Sequence, residues 1–67
     1  MEKIKVAMLV KGDLKSNGNI CGNVWSRVSP NDERFDFSNA IVVDGNMASD
    51  TLFAPETAAV VATGDVF

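Results

Sequence analysis

The side chains that carry most protein chemistry are sparse in this chain: it contains no His and a single Cys, Cys21. Without an imidazole there is no Ser-His or Cys-His pair, so a nucleophile lacks its usual general base. Cys21 lies in an apolar segment and reads as a small core residue, not an activated thiolate. Zinc needs clustered Cys and His ligands, and no calcium-loop or dinucleotide pattern occurs. Asp32, Glu33 and Asp36 are closely spaced acids. Beside Pro30 and Asn31 they read as a solvated turn, and paired-acid catalysis needs a cleft that so short a chain scarcely forms alone. Gly12-Asp13-Leu14-Lys15-Ser16 is superficially like a phosphate-binding loop. It fails because Leu14, not Gly, precedes Lys15 and because Asn17-Gly18 turns the chain at once. The sequence therefore predicts no catalytic residue, no metal ligand and no cofactor, and a protein that binds but is not an enzyme.

Aromatic and cationic side chains supply the binding candidates. Trp25 with Lys11, Arg27 and Arg34 has the chemistry to stack a base or hold an anionic ligand. The competing reading places Trp25 over a second core or a subunit interface, where Trp is enriched. All six basic residues fall in the first 34 positions, which carry a net charge of plus two, and the remainder carries minus five. A net charge of minus three repels a nucleic-acid backbone overall, so nucleic acid is the less expected partner.

The elements that position these residues read as strands. Ile4, Val6, Met8 and Val10 alternate with Lys5, Ala7 and Leu9, the period of two of a half-buried strand. Asn17-Gly18 is a turn signal before a second strand over 20–28. With a loop from Asn17 to Asn19, an antiparallel hairpin sets Met8 opposite Val28, Gly12 opposite Val24 and Trp25 opposite Lys11. After the polar turn at Ser29-Pro30-Asn31, Phe35, Phe37, Ile41 and Val43 alternate inward along a third strand. Asp44-Gly45 then predicts a hairpin turn and a further strand within 47–53.

Residues 55–63 admit two readings. Pro55, Glu56 and Gly64 punctuate a helix, whereas Val60-Val61 between Thr57 and Thr63 favours a strand. Taken as a strand, the segment completes an all-β antiparallel meander of about five strands in one domain, 1–67, curled into a barrel or compact sandwich. The alternative is an α+β fold with a short C-terminal helix at 55–63. No internal repeat, low-complexity tract or linker stands out.

A chain this short buries only about 60% of its unfolded surface and has no disulfide or metal to staple it. Self-association into a homo-oligomer is the expected compensation, with the terminal apolar pair Val66 and Phe67 as candidate interface residues. No apolar stretch approaches the length that spans a bilayer, and the charged start does not read as a signal peptide, so a cytoplasmic protein without a membrane partner is expected.

Residues 3–43 resemble short all-β proteins encoded by bacteriophages: a charged amphipathic first strand, a Gly- and Asn-rich turn, a Trp-containing second strand and a polar turn into Ser38-Asn39-Ala40-Ile41-Val42-Val43. The resemblance is one of size and pattern. It implies a binding protein in the host-cell cytoplasm that blocks a host defence protein or sequesters a small nucleotide, with a virion structural or assembly role as an alternative. It transfers no functional residue.

Overall fold

In the computed structural model, which describes residues 2–18, 23–49 and 58–67, every regular element is a strand. The strands are β1 (Ile4–Lys11), β2 (Leu14–Ser16), β3 (Asn23–Trp25), β4 (Phe35–Asp36), β5 (Ile41–Asp44), β6 (Met47–Ser49) and β7 (Ala59–Ala62). All the pairings among the described residues are parallel. β1 lies at the centre, with β4 along Ile4 and Lys5 and β5 along Met8–Lys11 on one side, and β7 on the other. β3 joins the far edge of β7, Trp25 in register with Val61. A second small sheet pairs β2 with β6, and Val66 bridges to Leu14 beside it.

This overturns the antiparallel meander, and the sheet does not close into a barrel. β1 and β3 do not form a hairpin, because β7 lies between them. The Asn17-Gly18 turn does form, with the Gly18 N–H donating to Ser16 Oγ at 3.3 Å, but the chain that leaves it returns parallel to β7. Asp44-Gly45 is likewise a bend and not a hairpin, since β6 leaves β5 to pair with β2 in the other sheet. The second reading of 55–63 is corrected too: Ala59–Ala62 is a strand, while Pro55, Glu56 and Thr57, like Cys21, lie outside the described residues.

The topology rests on a unit that occurs three times. Val10-Lys11-Gly12-Asp13-Leu14, Val43-Asp44-Gly45-Asn46-Met47 and Ala62-Thr63-Gly64-Asp65-Val66 share an aliphatic residue, a Gly, an Asx and a second aliphatic residue at matching places. The units stack in constant register: Lys11 faces Asp44 and Leu14 faces Met47, and Val10 faces Ala62 and Leu14 faces Val66. Each unit turns a corner from the large sheet to the small one at its Gly. A Cβ on Gly12 (φ +143°) would sit 2.6 Å from the Gly45 carbonyl oxygen, and one on Gly64 would collide with the Asp13 carboxylate. The backbones approach too closely there for any side chain.

Burial follows the same plan. β7 is buried at all four residues because both faces of the sheet are covered, which is why its sequence is a continuous Ala-Val-Val-Ala run without alternation. On one face Val6, Leu9, Ala59 and Val61 pack with Phe35 and Val28. On the other, Val10, Val60 and Ala62 pack against Leu14, with Met47 and Val66 of the small sheet closing over them. An irregularity between Val6 and Met8 moves Val6 to the side of Leu9 and away from Met8 and Val10. The expectation that Ile4, Val6, Met8 and Val10 line one face is therefore corrected by that slip and by the second core.

Candidate functional site

Trp25 and Arg34 come together, although not in the predicted company. The Trp25 ring meets Phe35 edge-on, with centroids 5.3 Å apart and planes at 78°, the geometry that aromatic quadrupoles favour. The Arg34 guanidinium lies 5.8 Å from the Trp25 centroid and 5.3 Å from that of Phe35. Trp25 thus packs against Phe35 at the edge of the core while 36% of it stays exposed. Lys11, expected opposite Trp25, is in register with Asp44 near the other edge of the sheet.

Both arginines are engaged by carboxylates. Arg34 Nε and Nη2 reach Asp32 at 3.1 and 2.8 Å, and the Arg34 backbone N–H donates to Asp32 Oδ1 at 2.9 Å. These bonds from Arg34 hold the Asp32 carboxyl below its ordinary range. Arg27 Nε donates to Asp65 Oδ1 at 2.7 Å. An open concavity is lined by two acids and two bases, Glu2, Glu33, Lys3 and Arg34. Among the described residues no cluster of three His, Cys, Asp or Glu is placed to hold a metal ion, and no helix is long and apolar enough to cross a membrane.

The Arg27 contact belongs to a larger arrangement. Asn46 Oδ1 accepts the Asp13 N–H at 3.3 Å, Asp13 Oδ1 accepts the Asp65 N–H at 3.0 Å, and Asp65 Oδ1 accepts Arg27 Nε. The Asn46 and Asp13 side chains each satisfy the backbone of the next unit, as short polar side chains do at corners. Arg27 ends the series. Arg27 turns a corner of its own at φ +59°: its N–H donates to the Gly64 carbonyl and the Val28 N–H to that of Ala62, which takes Val28 into the Phe35 core and not over Leu14. Residues 23–28 thus lie along β7 and its corner, and the Arg27 side chain gives Asp65 a donor where a further unit would bring its backbone N–H.

The opposite end has no such cover among the described residues. Asn46 N–H, at the position where Asp13 and Asp65 each receive an Asx side chain, receives none from a described residue. Nothing lies within 4 Å of where a Gly45 Cβ would be. Gly45 and Met47 donate inward to the Lys11 and Asp13 carbonyls, so the alternate N–H groups of Val42, Asp44 and Asn46 point away from the stack. On this outer edge Ile41 is 64% and Val42 53% exposed, where the third-strand reading expected Ile41 inside. The Ser38 N–H and Oγ bonds to Asp36 Oδ1 turn the chain between β4 and β5 and break the alternation that ran from Phe35.

The terminal pair divides. Val66 is half-buried against the second core, in the same subunit. Phe67 is 63% exposed, with Lys15 Nζ 5.1 Å from its ring centroid and its N–H bound to the Leu14 carbonyl at 2.9 Å. Ile41, Val42 and Asn46 are edge residues that the residue-by-residue reading does not single out for binding. The recurring aliphatic-x-Gly-Asx-aliphatic pattern at Val10, Val43 and Ala62 was the available signal. A comparison with protein-family models, curated proteins and solved structures finds no match.

Proposed function

We propose that this protein is a non-enzymatic binding module, acting in the cytoplasm, that engages its partner by strand addition along the β5–β6 edge. The observation that carries the reading is an edge strand with Ile41 and Val42 exposed beside outward-pointing N–H groups. Unpaired edges template a further strand, with main-chain hydrogen bonds giving affinity and alternate side chains giving selectivity. A chain without a nucleophile–base pair acts on other molecules by occupying them, and a phage-like inhibitor that blocks a host protein is a role such a module suits. The carboxylate partners of Arg27 and Arg34 weigh against the nucleic-acid reading, because phosphate affinity depends on cations free to displace counterions.

Site-specific photo-cross-linking tests the edge. A photoreactive residue at position 42 should yield discrete adducts in the producing cell, while one at Ser29, exposed in the turn after β3, should not. Adducts that form equally from both positions contradict the reading.

A further inference from the structure

Among the described residues the corner stack is capped at one end and open at the other. At the capped end Arg27 fills the Asp65 acceptor, and the Arg27 and Val28 N–H groups occupy the Gly64 and Ala62 carbonyls. At the open end the Asn46 N–H and the space over Gly45 have no occupant among the described residues. Stacked-unit proteins need both ends covered to stay soluble.

We propose that the free protein covers its open end with the open end of a second copy, the two β5 strands pairing antiparallel about a two-fold axis. The proposal rests on the reading of β5–β6 as the binding edge and names the partner that occupies it at rest. Head-to-tail growth would have to use the outer edge of β3, only three residues long, because the Gly64 and Ala62 carbonyls that a further unit would use at the corner are taken within the chain. An edge-to-edge contact needs only itself, and closed two-fold pairing is the commonest outcome for identical chains. The charge pattern suits it. Ile41, Val42 and Val43 are an uncharged centre that pairs with its own copy, and an axis at Val42 sets its outward backbone groups against those of Val42 in the other copy and Asp44 opposite Ala40, keeping the two Asp44 carboxylates apart. Lys11, in register with Asp44 on the neighbouring strand, supplies a cation beside each.

Sedimentation of the full chain across the micromolar range, with hydrogen exchange on the same samples, tests the pairing. The expected result is a species of twice 7.2 kDa that dissociates on dilution, with the Val42, Asp44 and Asn46 amides losing protection in step. Val42→Lys should remain folded by circular dichroism and sediment as a monomer; should it unfold, the dilution series on the wild-type chain decides alone. A wild-type chain that stays monomeric throughout overturns the proposal, as does a species that keeps growing beyond two copies. A peptide copying residues 41–49 separates the two readings: a monomer in which it protects those amides loses the dimer but keeps the binding edge, and a monomer in which it protects nothing loses both.

Discussion

Arg27 Nε lies 2.7 Å from Asp65 Oδ1, the position at which the Asp13 carboxylate one layer away receives a backbone N–H at 3.0 Å. A side chain at the end of the stack thus imitates the backbone of a missing unit, and the imitation makes that end differ from the one at Asn46.

Replacing Arg27 separates its two contributions. Arg27→Ala removes the donor to Asp65 but keeps a side chain at φ +59°, a conformation L residues adopt at a cost. Arg27→Gly removes the same donor and relieves the backbone. Urea midpoints should fall in the order wild type, Gly, Ala. A Gly variant less stable than the Ala variant contradicts the corner assignment.

The glycines at the corners are not equivalent. Gly12→Ala combines positive φ with a Cβ 2.6 Å from the Gly45 oxygen, and strain with overpacking should cost roughly 2–5 kcal/mol, comparable with the whole stability of a domain this small. Gly45→Ala keeps the positive φ but meets open space and should cost about 1–3 kcal/mol. Thermal melts should show Gly12→Ala largely unfolded and Gly45→Ala folded with a lowered midpoint. Equal losses would mean that the two units do not stack.

How far the sequence discloses this fold depends on what each residue encodes. The alternation in β1 and the β-branched pair Val60-Val61 in β7 mark strands because a pleated, buried surface suits them. Which strand pairs with which is not written in a period of two. Asn17-Gly18 turns the chain as expected, but its return beside β7 is set by contacts with residues 59–62, far along the sequence. Asp44-Gly45 supplies the positive φ of a bend, and the same dipeptide serves a hairpin or a corner between sheets. Burial of Leu9 follows only once both faces of the sheet are known to be covered. Trp25 is legible with Lys11, Arg27 and Arg34 as one group; that Arg34 lies against its ring while Lys11 does not, and the ion pairs that engage Arg34 and Arg27, depend on tertiary placement and on the Asp32 turn.

Acid should weaken the Arg34 turn first. The hydrogen bonds from Arg34 lower the folded pKa of Asp32 below its unfolded value. Their contribution is therefore complete above the unfolded value, about 3.9, and is lost as pH falls through the lower folded one. Carboxyl-detected NMR should place the Asp32 midpoint below those of unpaired model Asp residues, and Asp32→Asn should flatten the acid limb of stability against pH. An Asp32 midpoint at or above the model value contradicts the geometry.

The central claim, a parallel stack whose β5–β6 end is open for binding, is tested most directly by residue-resolved amide exchange on the dilute wild-type chain. Gly45 and Met47 donate to the neighbouring layer, so their amides and that of Val43 should be protected, while Val42, Asp44 and Asn46, pointing outward, should exchange rapidly. The Val60 and Val61 amides at the centre of the sheet should be slowest of all. Protection of Val42, Asp44 and Asn46 equal to that of Val43 and Gly45 in a dilute monomer would mean that another strand of the same chain already covers the edge, and the account would fail.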